Sequence, residues 1–229
     1  MAIDPEQKDN WLREFQLNGF VVFRNFLPVD FVEALADELA PLLEAEYAKA
    51  SKDGWAEGRN VGRMGLHLEQ YARLFSGALA DDRYQRNPII EELVDATLGE
   101  GQWRRGWTLV EANWKGSGHM TWHSDQRPED TPDPSGPHEI IRVTFNIPVV
   151  DFTWETGAME MLPGSHHLPR DFGVVDGVDN IYPHLLRLNR GDAIFRDGNI
   201  LHRGTPNLSD RVRPMLDQTY KKLTDKDKS

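Results

Sequence analysis

Trp122-His123-Ser124-Asp125 places an imidazole and a carboxylate two positions apart. In an extended strand, side chains i and i+2 share a face, so His123 and Asp125 converge on one point. A neutral imidazole nitrogen with a carboxylate oxygen suits Fe(II), Mn(II) or Zn(II) better than calcium. Two ligands do not make a site, and a third has to come from far along the chain. H-x-D is by itself a common tripeptide, so the reading needs support from the elements around it.

Those elements change character midway. Trp11 to Phe20 reads as a short helix ended by Gly19, and Gly19 to Phe23 as a buried strand. Pro28-Val29-Asp30 opens a long helix, with Asp30 as N-cap, Glu33 completing a capping box and Pro41 as a kink or end of its regular part. Ser51 to His67 is a Gly-rich loop carrying Trp55, Arg59, Asn60, Arg63 and His67. Leu68 to Leu98 reads as helical, with Asn87-Pro88 as a start and Gly99 as a cap. From Trp103 the period becomes two. Strands are expected at Trp107–Trp114, His119–His123, Ile140–Val150, Ala193–Phe195 and from Arg211 to near Tyr220. His166 and His167 follow Pro163-Gly164-Ser165 and read as turn residues. Helices first and then short strands with Gly/Pro turns predict an α+β chain whose second half is an antiparallel barrel or jelly roll.

Composition narrows the functional classes. The 229 residues fit one domain, and 39% hydrophobic content supports a sizeable core. There is no cysteine, which excludes disulfides, thiolate metal sites and a Cys nucleophile. A net charge of −11 argues against nucleic-acid binding. No apolar run reaches membrane-spanning length and Met1–Asn10 has no apolar leader, so a cytoplasmic enzyme without membrane contact is expected. Oligomeric state is not legible.

Several pieces then line up in order. They are Asn18-Gly19-Phe20-Val21-Val22, His123-x-Asp125, Thr156-Gly157-Ala158 through Leu162-Pro163-Gly164-Ser165-His166, and Gly191-Asp192-Ala193-Ile194-Phe195. His202, Asn207 and Arg213 complete the series, Arg213 lying eleven positions beyond His202. The series resembles the phytanoyl-CoA dioxygenase family of Fe(II)/2-oxoglutarate-dependent oxygenases, over most of the chain. The resemblance implies a double-stranded β-helix (a cupin-like jelly roll) at about 101–222, with N-terminal helices from about 1–100 packed on it, all in one domain spanning 1–229. It implies iron held by His123, Asp125 and His202, and 2-oxoglutarate held by Arg213 through its distal carboxylate, with Arg211 second in rank. It implies O2 as co-substrate, with oxidation of a C–H bond, most simply hydroxylation, releasing succinate and CO2.

The chain departs from the family pattern in places. Relatives often carry Ser or Thr two positions after the distal His; here Gly204 stands there and Thr205 follows as a substitute. The Trp often found on the strand before the Pro-Gly-Ser-His turn is replaced by Phe145 or Asn146. Asp125 is retained, so halogenation, which needs a small residue there, is disfavoured. An anionic small molecule such as an amino or organic acid is the expected substrate, with Trp122, Arg63, Arg127 and Asn113 as candidate contacts. The Pro- and acid-rich loop 126–139 and the loop 51–67 are candidate lids. Two rival classes use the same ligands differently: a metal-dependent hydrolase or isomerase has no need of Arg213, and a non-catalytic cupin-like protein has no need of the triad.

Overall fold

The computed structural model describes residues 3–53, 61–126, 139–168 and 182–224. Two antiparallel sheets make a jelly roll, and helices cover the outer face of the larger sheet. That sheet has six strands, β1 (Phe20–Phe23), β2 (Arg63–His67), β3 (Trp103–Asn113), β4 (Arg142–Pro148), β7 (Ala193–Asp197) and β9 (Arg213–Lys222), ordered β1-β7-β4-β9-β3-β2. The smaller sheet is β6-β5-β8, from β5 (Met159–Met161), β6 (His184–Leu186) and β8 (His202–Gly204). Both edges of the large sheet come from the helical half of the chain, so that half completes the sheet as well as packing on it.

Alternation along the strands sorts the side chains. Val143, Phe145 and Ile147 of β4, Phe195 of β7 and Leu216 and Tyr220 of β9 face the helices. They pack against Phe15 of α1 (Pro5–Asn18), Phe31, Leu35 and Leu39 of α2 (Val29–Asp53) and Ile90, Leu93 and Val94 of α4 (Pro88–Leu98). The intervening residues Thr144, Asp217 and Thr219 line a cavity between the sheets, with Arg142, Arg196 and Arg213. A second core of Phe20, Phe152, Met159, Met161, Ile194 and Met215 joins the two sheets.

Several helix boundaries follow from local chemistry. Asn87 caps α4 by accepting from the Ile89 and Ile90 amides, at 3.1 and 3.4 Å. Gly19 ends α1 in the left-handed conformation, φ 82°, which glycine adopts without strain. Its missing Cβ also makes room for His166, whose Nδ1 would lie 2.6 Å from such an atom.

Three expectations need correction. Helix α2 begins at Val29, so Asp30 lies in its first turn and is not its N-cap, and the helix runs through Pro41 to Asp53. Leu68–Gln85 is not one helix but 3-10 turns at Leu68–Leu74 and Ala78–Ala80 followed by a short α3 (Asp82–Gln85). The Glu38 carboxylate interrupts it by accepting from the Ser76, Gly77 and Leu79 amides. His119–His123 is not a regular strand, because it meets the small sheet at a bridge between His123 and His202 and at a hydrogen bond from Met120 N to Gly204 O, at 3.0 Å, without a continuous ladder. Among the described residues, no helix is long and apolar enough to cross a membrane.

Candidate metal centre

The bridge at His123 holds the site. His123 N donates to His202 O at 3.2 Å, and His202 N donates to His123 O at 3.0 Å. The two rings then lie 4.3 Å apart, centroid to centroid. His123 Nδ1 faces Thr121 O at 2.9 Å, and His202 Nδ1 faces Ile200 O at 3.0 Å. A carbonyl only accepts, so each Nδ1 carries the proton and each Nε2 is left with a free lone pair. Asp125 Oδ1 lies 4.0 Å from His123 Nε2 and 3.7 Å from His202 Nε2. One ligand atom from each of the three residues falls within 4.8 Å of the others. These are donors suited to Fe(II), on one side of the cavity, with no fourth protein ligand among the described residues.

Electrostatics favour a cation here. Burial and then the charge of Arg196 hold His202 well below its usual range, so it stays a neutral ligand. Burial pushes the Asp125 carboxyl up, but the Arg196 guanidinium opposes it by charge and by hydrogen bond, and the group is held ionised, well below the usual carboxylate range. Arg196 Nη2 donates to Asp125 Oδ2 at 2.6 Å.

The cavity, about 740 Å³, runs from this cluster along the inner face of the large sheet. Cross-strand register arranges its wall in layers. Arg213 pairs with Asn113 and Asn113 with Arg63; Met215 pairs with Glu111 and Glu111 with Gly65; Asp217 pairs with Leu109 and Leu109 with His67. Arg213 is buried, its Nε donates to Asn113 Oδ1 at 2.6 Å, and its Nη1 has no partner among the described residues. An orphaned buried guanidinium N–H on a cavity wall fits an anionic ligand. Burial and the nearby Arg63 lower the Arg213 pKa to about 9, and burial raises Glu111 to about 8 and Asp217 to about 7.

The remaining sequence candidates divide. Arg63 lines the cavity and reaches over Gly204, where an added Cβ would lie 2.5 Å from Arg63 Nη1. The guanidinium therefore occupies the space that a Ser or Thr side chain at 204 would need. Thr205 is buried outside the cavity wall, and its hydroxyl donates to Ala158 O at 2.7 Å. Arg211 is exposed and away from the cavity, because β9 begins only at Arg213. Asn113 orients Arg213 and does not line the cavity. Trp122 also lies off the wall, with the Arg203 guanidinium 4.5 Å over its ring. Arg127 and nearly all of the 126–139 loop lie outside the described residues, as do 54–60 of the other candidate lid; the rest of 51–67 is not all loop, because 51–53 end α2 and Arg63–His67 forms β2 against β3. Sequence reasoning missed Arg196, Asp217 and Glu111. Arg196 sits two positions beyond Ile194, so extending the period-two strand by one residue would have found it.

Comparison with known proteins agrees with this arrangement. The family model described as phytanoyl-CoA dioxygenase (PhyH) matches residues 15–215. The dioxygenase hkm4 of Aspergillus hancockii is 26% identical over 224 residues, covering 94% of this chain and 71% of that protein. The multifunctional dioxygenase ausE of Emericella nidulans is 24% identical over 228 residues, covering 91% and 71%. Among solved structures, the non-heme alpha ketoglutarate dependent epimerase SnoN from nogalamycin biosynthesis is similar with a TM-score of 0.66 at 21% identity, covering 96% of this chain and 85% of that one. SnoN is also known in complex with Fe3+, alpha ketoglutarate and nogalamycin RO.

Proposed function

The chain belongs to the phytanoyl-CoA dioxygenase family, and from that premise we propose that it hydroxylates a C–H bond of a small molecule, releasing succinate and CO2. It is a dioxygenase dependent on Fe(II), 2-oxoglutarate and O2. In this reading His123 Nε2, His202 Nε2 and Asp125 Oδ1 hold the iron, and the whole described chain acts as one catalytic unit. Arg213, oriented by Asn113, receives the distal carboxylate of 2-oxoglutarate, with the Arg63 charge beside it. Bound iron and 2-oxoglutarate supply O2 activation coupled to decarboxylation of the co-substrate.

The protein's own part is placement and exclusion. The Nδ1 contacts to Thr121 O and Ile200 O fix both imidazole tautomers. Met64, Met120, Met159, Met215, Leu109 and Trp107 give the cavity an apolar lining that excludes water from the reacting carbon. Asp125 fills the position that a halide would need, which favours hydroxylation. An anionic group on the substrate is supported by Arg142 on the wall, where its guanidinium lies 4.8 Å over the Trp107 ring. Glu111 and Asp217 on the same wall oppose a substrate of high negative charge. The observation that carries the reading is the buried, unpartnered Arg213 Nη1 on the wall of a cavity that also holds the His-Asp-His cluster. A hydrolase would have no use for it.

Anaerobic titration with Fe(II) and then 2-oxoglutarate tests this. A visible charge-transfer band that needs both additions and is absent in His202→Ala is the expected result. A folded, metal-loaded protein with no band, or one that turns over without 2-oxoglutarate, overturns the proposal.

A further inference from the structure

We infer that Arg196 is a positioning residue that restricts Asp125 to a single free oxygen and thereby keeps coordination positions open for co-substrates. The inference rests on the assignment of His123, Asp125 and His202 as the metal ligands.

Arg196 is carried by β7 and is 2% exposed. Two of its three nitrogens have separate tasks. Nη2 donates to Asp125 Oδ2 at 2.6 Å, and Nε donates to Asn146 Oδ1 at 2.8 Å. Asn146 is held in turn, its Nδ2 donating to Asp217 Oδ1 at 2.5 Å. Asn146 faces Ile194 of β7 on one side and Asp217 of β9 on the other, so this chain crosses three adjacent strands. The guanidinium plane is therefore set by the sheet and not by Asp125. Nη1 is buried without a partner among the described residues.

The consequence lies in how the two Asp125 oxygens are divided. Oδ1 faces both imidazoles, while Oδ2 is tied to Arg196. An unrestrained carboxylate can turn and chelate a cation through both oxygens. Here that turn breaks a short, charge-assisted hydrogen bond to a nearly buried guanidinium. Each of the three ligand side chains then contributes one atom, and positions remain for the two chelating oxygens of 2-oxoglutarate and for O2. Lysine cannot do the same, because a single ammonium lacks the fixed fork that reaches Asp125 and Asn146 together.

The test compares Arg196→Met, Arg196→Lys and Asn146→Ala with the wild type and His202→Ala. Each is assayed anaerobically for Fe(II) affinity by calorimetry, for 2-oxoglutarate affinity from the visible band, and for folding by circular dichroism. Arg196→Met is expected to hold Fe(II) within about threefold of wild type, because the Asp125 carboxylate is released and not removed. Its 2-oxoglutarate affinity is expected to fall at least tenfold, with the band weakened or shifted. Arg196→Lys is expected to recover little of the band. Asn146→Ala, which leaves the tie to Asp125 but frees the guanidinium plane, falls between Arg196→Met and wild type; it also serves if Arg196→Met does not fold. An unchanged band and 2-oxoglutarate affinity in Arg196→Met overturn the inference. So does a parallel loss of Fe(II) affinity, band and folding, which is what a merely structural arginine would give. Wild-type Fe(II) binding by His202→Ala instead overturns the ligand assignment beneath it.

Discussion

His123 and His202 face each other across an antiparallel bridge and exchange both of their backbone hydrogen bonds, at 3.2 and 3.0 Å. The separation of the two imidazoles is therefore set by backbone pairing before any ion arrives. Preorganisation of this kind lowers the ordering cost of metal binding.

In the proposed function Arg213, oriented by Asn113, receives the co-substrate. Replacing Arg213 with Ala removes a buried, charge-assisted contact and is expected to weaken 2-oxoglutarate binding about 100-fold, with Fe(II) affinity unchanged. Asn113→Ala leaves Nε of Arg213 without its acceptor and is expected to cost about tenfold. Titration of the visible band measures both. Wild-type 2-oxoglutarate affinity in Arg213→Ala would show that the anion binds elsewhere.

Gly204 and Arg63 compete for one space. Arg63 is anchored there by Gly118 O, at 3.2 Å from Nε and 2.8 Å from Nη2, and by Thr205 O, at 2.5 Å from Nη2. Gly204→Ser pushes the guanidinium aside and is expected to cost about 1–2 kcal/mol of stability. Combining it with Arg63→Ala relieves the clash, so the double variant is expected to lose about 1 kcal/mol less than the two single losses added. Urea unfolding of all four proteins reads the cycle, and strictly additive losses would show that the two positions are independent.

Glu111 makes the metal-free protein sensitive to pH. Burial, reinforced by Asp217 and Asp125 and opposed by Arg213 and Arg63, raises its carboxyl to about 8 from an ordinary value of 4.5. A carboxyl raised on folding binds more protons in the native state between those two values. Its contribution to stability is therefore present at low pH and is lost as pH rises towards about 8. Gln stays neutral throughout, so the advantage of Glu111→Gln over wild type is expected to grow from pH 5 to pH 8, by on the order of 1–3 kcal/mol. Taking the difference between the two proteins cancels the opposite slope of His202, which favours the folded state as pH rises through its unfolded value. A difference that is flat with pH would mean that Glu111 is ionised across the whole range.

The convergence of His123, Asp125 and His202, and the placement of Arg213 on the same cavity wall, were legible because strands preserve the spacing of residue types. The start of α4 was legible because Asn87-Pro88 acts on its own neighbours. What escaped was non-local. Glu38 stops the helical run of residues 68–85 from about forty positions away. Arg196 stands beyond the expected end of its strand, because the adjacent Asp197-Gly198-Asn199 carries a strong turn signal and it is the pairing of β7 with β1 and β4 that continues the strand through it. Thr205 and Arg211 were chosen by proximity to a motif, and the small displacement of each was enough to take its side chain off the cavity wall.

The edge strand β1 has a consequence for biogenesis. Phe20–Phe23 pairs with Ala193–Arg196, so its partner leaves the ribosome about 170 residues later. At translation rates of about 5–20 residues per second that delay is roughly 10–35 s. Throughout it, a Phe-Val-Val-Phe segment has no strand beside it and relies on α1 and α2 or on a chaperone for cover. Production of soluble protein is therefore expected to respond to slower growth temperature and to chaperone supply more than to any change at the metal cluster.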